Sequence, residues 1–140
     1  MKIRHKNKTL ACVLAIAVGW AGAHRFYLYG FKDKAAWVYP IVSLIYVFFA
    51  LVAQRTDSMG ALIFVMLPVP IFVALLEALV HGLTDDRVWD QRHNPQSSQV
   101  TQSKWPLITL LSVSFALGFT ALVAGMARIT DLLYTGGAFG

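Results

Sequence analysis

Four runs of this chain, Thr9–Ala23, Ala35–Ala53, Met59–Val80 and Pro106–Ala127, hold one charged residue between them, Glu77. Uncharged runs of that length bury their backbone most cheaply as helices, and only lipid can solvate so many apolar side chains on a short chain. The composition agrees: 57% of the 140 residues are hydrophobic and 14% charged, and the mean hydropathy is +0.60. A water-soluble globule of this size needs more polar surface. The expected fold is therefore all-α, a polytopic integral membrane protein with four helical membrane segments at about 9–23, 35–53, 59–80 and 106–127. Residues 1–81 form one helical membrane region, 82–105 a polar linker with a short amphipathic helix, and 106–140 a last membrane helix with a flexible Gly-rich tail.

The first run is the shortest. As a helix its fifteen residues reach about 22 Å, against about 30 Å of hydrocarbon. It spans only if Lys8 snorkels at one end and the aromatics of residues 26–31 continue the apolar path at the other. Ala11, Ala15, Gly19 and Ala23 recur every fourth residue, a smooth face on which a second helix can lie. The basic tail, apolar stretch and small triplet Ala21-Gly22-Ala23 also answer the description of a cleavable secretory signal. The aromatic, apolar residues that follow argue against that reading. Cys12, the one cysteine, sits inside the run and is assigned to packing.

Between the first two runs lies Gly19-Trp20-Ala21-Gly22-Ala23-His24-Arg25-Phe26-Tyr27-Leu28-Tyr29-Gly30, two basic side chains set among aromatics. Arg25 cannot shed its charge and must reach water, lipid phosphate or an acid. Gly19, Gly22, His24, Arg25, Phe26, Tyr27 and Leu28 carry a pattern that resembles the TM-two domain family, with Tyr29 inserted before the usual glycine, here Gly30. The resemblance covers roughly Lys8 to Lys34. It implies two membrane helices joined by a short loop, a multi-pass location in the cell membrane, for bacterial members the inner membrane, and no defined activity.

Glu77 and His81 lie four residues apart on one helix face. A carboxylate at membrane depth needs a partner. Two readings stand: Glu77 pairs with Arg25 or His24 where helix ends meet, or it faces headgroup water beside His81. Pro40 near the start of the second segment predicts a kink there, and Pro68 with Pro70 a break in the third. In the linker, Thr84 caps a short helix, Asp85 and Asp86 occupy its first turn, and Trp89 anchors it at the interface. In the last run, Ser114, Gly118, Ala121 and Gly125 share a face suited to helix packing, with Trp105 and Arg128 at its interfacial ends.

The expected function is a structural or protein-interaction role, with the bilayer, other membrane proteins or a second copy as partners. The rival is a small ion, proton or solute transporter or channel component using Glu77, His81 and the Pro68/Pro70 break. The net charge of +5 sits beside the apolar runs, where it sets topology rather than binding nucleic acid. His81, Asp85 and His93 have no metal-ligand spacing. No catalytic, cofactor or metal motif is present, so no enzyme is expected.

Charge counting does not fix orientation. With four crossings the twelve Lys and Arg divide six to six; if the first segment re-enters without crossing, the tail, signature and linker share a face and the division is ten to two. The family resemblance favours four crossings.

Overall fold

A computed structural model describes residues 5–56 and 69–138, and every regular element among them is helical. The chain order is α1 (Lys8–Val18), a 3-10 turn (Gly19–Ala21), α2 (Ala23–Tyr29), α3 (Lys34–Thr56), α4 (Val69–Leu83), α5 (Asp86–His93) and α6 (Trp105–Thr135). Two stretches, Lys34–Ala53 and Trp105–Thr135, are long and apolar enough to cross a membrane, while Lys8–Ala21 and Val69–Leu83 are shorter apolar helices. The early part of the expected third segment, with Pro68 and its share of the break, lies outside the described residues. Pro70 lies within α4, and the carbonyl that its missing N–H leaves without a partner belongs, like Pro68, to the residues outside the described ones.

The first segment does not run straight through the bundle. α1 starts at an Asn7 cap, whose side chain accepts from the Leu10 N–H at 3.1 Å, and ends five residues short of the expected Ala23. Gly22 then adopts φ +72°, a left-handed conformation that glycine enters without strain, and α2 folds back along α1. The Lys6 ammonium donates to the Leu28 carbonyl at 2.5 Å, and the Asn7 N–H donates to the Tyr27 hydroxyl at 2.8 Å. Residues 6 and 28 therefore lie at the same end of the bundle. The hairpin has a simple cause: eleven helical residues rise only about 16 Å, and Gly22 then reverses the chain.

The hairpin tip seats on α3. Pro40 lies inside α3, which continues through it, but the Ala36 carbonyl loses its helical donor there. Gly22 fits against that carbonyl so closely that a Cβ at residue 22 would stand 2.6 Å from the Ala36 oxygen. One turn on, the Ser43 hydroxyl donates to the Trp20 carbonyl at 2.7 Å.

α4 packs along α1 through two matching small-residue rows. Ala11, Ala15 and Gly19 face Pro70, Ala74, Ala78 and Gly82, all buried, so the two backbones approach as small residues permit in lipid. A Cβ on Gly19 would lie 2.4 Å from that of Ala74, and one on Gly82 would lie 2.4 Å from Leu111 of α6. Cys12 is buried in this seam, packed with Leu107 and Leu111, and its thiol reaches the Ala78 carbonyl at 3.4 Å. α6 then runs to Thr135, eight residues past its expected end, and closes on Gly136 at φ +69°.

The linker caps the hairpin. Thr84 directly follows α4, its hydroxyl on the Val80 carbonyl at 2.6 Å; Asp85, with extended ψ 141°, is the residue that caps α5, accepting from Arg87 N–H at 2.9 Å. Trp89 is not an interfacial anchor. It is 1% exposed and packs on Ala11 and Leu28, because the returning hairpin gives it an apolar floor that the local sequence does not reveal. Lys8, expected to snorkel, is 3% exposed and donates to the Thr84 carbonyl at 2.5 Å, Asp86 at 2.8 Å and Ser103 at 3.0 Å.

Candidate functional site

Helix α2 is only seven residues long, yet it brings consecutive side chains to α4. Its start is fixed by Gly22, so His24 turns inward and Arg25 sits at the edge of the bundle. The Arg25 Nη1 donates to Glu77 Oε1 at 2.6 Å. His24 Nε2 bonds the other Glu77 oxygen. Arg25 Nε also donates to Asp33 at 3.2 Å, and its guanidinium lies 5.5 Å from the Tyr29 ring centre, a cation–π distance. Asp33 uses its second oxygen on the Ala35 N–H at 3.0 Å, opening α3. One guanidinium thus joins α2, α4 and the start of α3.

Burial is graded across this cluster. His24 is fully buried, whereas Arg25 and Glu77 each keep 24% of their side-chain surface. The Tyr39 ring meets His24 edge-on at 5.3 Å. His24 Nδ1 has no hydrogen-bond partner among the described residues and faces Gly19. A crevice of about 240 Å³ between α3 and α4, lined by Val38, Tyr39, Val42, Pro70 and Val73, leads to Arg25. The arrangement matches charge and shape; it offers no nucleophile beside a base. Among the described residues no three His, Cys, Asp or Glu converge as a metal site.

Of the other residues singled out from sequence, Phe26 packs against Phe31 and Trp37, both at 5.2 Å, and Gly30 at φ +78° ends α2 with its N–H on the Phe26 carbonyl. His81 makes no hydrogen bond to Glu77; its ring lies 6.4 Å from His24. It belongs instead to an aromatic box with Trp89 at 5.8 Å and His93 at 6.3 Å. Ser114 is buried and Gly118 lies against Leu75, but Ala121 is exposed and Gly125 half-buried. Sequence reasoning did not single out Asp33, Tyr39 or the row Ala74, Ala78, Gly82. That row had a readable signal, the same spacing of four as Ala11, Ala15 and Gly19.

Above the ion pairs, the polar layer holds Asp86 and Asp90. Burial works to raise both, but hydrogen bonds outweigh it: Lys8 and Ser103 on Asp86, Asn94 and Thr101 on Asp90, so both lie below the usual aspartate value. Asp90 accepts from Thr101 N–H at 2.7 Å and Asn94 at 3.0 Å. Asn94 in turn donates to the Lys6 carbonyl at 3.1 Å. These bonds tie α5 and the linker to the N-terminal tail.

No curated protein and no solved structure matches the chain. One family model does: that of the TM2 domain, over residues 4–53, which takes in the hairpin, Arg25 and α3 as far as Ala53. The N-terminal part of this small helical chain is thus similar to a TM2 domain, and two helices among the described residues are long and apolar enough to cross a membrane.

Proposed function

We propose that the chain is a multi-pass protein of the cell membrane, in bacteria the inner membrane, with a structural or protein-interaction role. The observation that carries this is the uncovered apolar surface of α3 and α6, whose most apolar stretches are only 11% and 17% buried within the chain. Leu44, Phe48, Ile108 and Phe119 all project outward, far more apolar surface than a soluble monomer exposes. Lipid covers most of it, and a second membrane protein or another copy of this chain is the partner class. In this reading α1 and α2 dip into the bilayer and return, while α3, the third segment and α6 cross. The tail, signature and linker then share one face with ten of the twelve Lys and Arg, which assigns that face to the cytoplasm.

Sidedness tests it. In a Cys12→Ala background, a tag before Met1 and single cysteines at Phe31, Gln96 and Tyr134, all exposed, are probed in sealed vesicles with an impermeant reagent. The tag, 31 and 96 are expected on one face and 134 on the other. A tag opposite residue 31 would sink the hairpin reading, and recovery of the protein outside the membrane fraction would sink the membrane reading. The transporter reading draws on the partial exposure of Arg25 and Glu77 beside the crevice. Liposome flux lost in Glu77→Gln would favour it over the interaction role.

A further inference from the structure

Three of the four histidines stand in a column from the Glu77–Arg25 pair to the polar cap: His24 on α2, His81 on α4 and His93 on α5, with ring centres 6.4 Å and 6.3 Å apart. At its top, Trp89 is clamped 4.3 Å from His93 and 5.8 Å from His81, and Tyr29 of α2 closes the box 5.6 Å from His93. We propose that α5 is an acid-released latch: a proton on His93 undocks Trp89 and the end of α5 from the α1–α2 hairpin, uncovering Ala11 and Leu28.

The surroundings of His93 decide the direction. The tail brings Lys6 and His5, α4 brings His81, and α5 itself brings Arg92; Tyr29 from α2 is neutral. The nearest acids are already engaged. Asp90 is held by Asn94 and Thr101, and Glu77, deeper down, by Arg25 and His24. Among the described residues His93 makes no ion pair or hydrogen bond, so an imidazolium there gains charge among cations with no acid paired to it. Burial, then His81, Lys6 and Arg92, push the docked imidazole down to about 4.

The same helix end carries the bonds that hold the hairpin. Trp89 Nε1 donates to the Lys6 carbonyl at 3.2 Å, and Asn94 Oδ1 accepts from the Lys6 N–H at 2.7 Å. Because the docked state disfavours the proton, docking is complete above the free imidazole value near 6.5. It weakens by up to about tenfold per pH unit below that, down to the docked value. Asp86 lies below the ordinary aspartate value and stays ionised over most of that window, so its bonds to Lys8 and Ser103 hold the start of α5 while the end lets go.

The test uses the full chain in detergent with Trp20, Trp37 and Trp105 replaced by Phe, which leaves Trp89 as the reporter. Iodide quenching of Trp89 is followed from about pH 8 to about pH 4.5, with far-UV circular dichroism as a check on global helix content. The expected result is a rise in quenching below about pH 6.5 with helix content kept, abolished in His93→Gln and retained in His5→Gln. Should His93→Gln expose Trp89 at high pH, His93→Phe supplies a ring without a charge and carries the same comparison. Hydrogen exchange of the unmutated chain should show residues 89–93 losing protection in acid while α3 and α6 keep theirs. A transition that survives both His93 variants, or one that coincides with global loss of helix, overturns the latch, as does unchanged burial of Trp89 across the range. None of these readouts depends on how the chain is oriented in a membrane.

Discussion

Replacing Gly19 with alanine puts a methyl carbon 2.4 Å from the Ala74 Cβ, where ordinary contact begins at 3.4 Å. The difference, 3.4 less 2.4, requires α1 and α4 to separate by about 1 Å at their closest point. Backbone carries both atoms, so no rotamer change relieves the overlap. Overpacking of this kind costs about 1–3 kcal/mol, and here separation also draws α2 away from Glu77. Ala74→Gly removes the opposing methyl and on its own should cost about 1 kcal/mol in helix propensity. In the double variant the clash disappears, so its stability should match Ala74→Gly alone, a coupling of about 1–3 kcal/mol. Unfolding in mixed micelles with increasing SDS, followed by tryptophan fluorescence, measures all three. If the two single costs simply add, the helices do not meet at this point and the packing argument is wrong.

Exchanging the charges of Arg25 and Glu77 should restore part of what each single reversal loses. Each reversal is expected to cost about 1–3 kcal/mol, less than for a fully buried pair because a quarter of each side chain meets solvent; thermal stability in detergent reads the cycle, and no recovery in the double variant would refute the pairing. Gly22→Ala should destabilise by at least about 1 kcal/mol, since the new methyl meets both the φ +72° strain and the Ala36 carbonyl; a thermal shift within error would refute that seat. Asp86 and Asp90 have folded values below their ordinary 3.8, so the native state binds fewer protons. The stability they lend is full above that value and fades as pH falls through the folded one. Asp86→Asn with Asp90→Asn should flatten the acid limb of a stability–pH profile, and an unchanged limb would assign it to other groups.

The helical class and the positions of the long segments were legible because charge is so sparse: lysines, arginines and acids punctuate runs that lipid alone can solvate. The reversal at Gly22 was not legible, since a fifteen-residue run fits both a thin crossing and a hairpin. Both readings were open, and the ten-to-two charge division pointed to the hairpin while family resemblance pointed away. Trp89 shows a second limit. Flanked by Val88 and Asp90 in a charged octet, it reads as a surface ring, and what buries it is Ala11 and Leu28, more than sixty residues earlier. Lys8 misleads in the same way, because its partners Thr84, Asp86 and Ser103 lie beyond three apolar segments. For Glu77, the sequence left two readings open, pairing with Arg25 or His24 and headgroup water beside His81; that it holds one partner on each oxygen is a matter of helix register, set by Gly22.

The sequence separation of Arg25 and Glu77, fifty-two residues, bears on how the chain is made. During synthesis Arg25 leaves the ribosome long before Glu77, and at the common elongation rate of about 5–20 residues per second it waits several seconds for its carboxylate. Asp33 arrives within that interval and serves as an interim counterion. In the proposed topology a hairpin sinking before Glu77 would carry His24 and Arg25 into hydrocarbon without their shared carboxylate, at a cost. α1 and α2 therefore wait at the membrane surface while α3 is laid down and sink once α4 delivers its small-residue row and Glu77 together. Biogenesis of the N-terminal part is therefore completed from the C-terminal side. A nascent chain halted before residue 77 should present Cys12 to thiol reagents that the finished fold excludes.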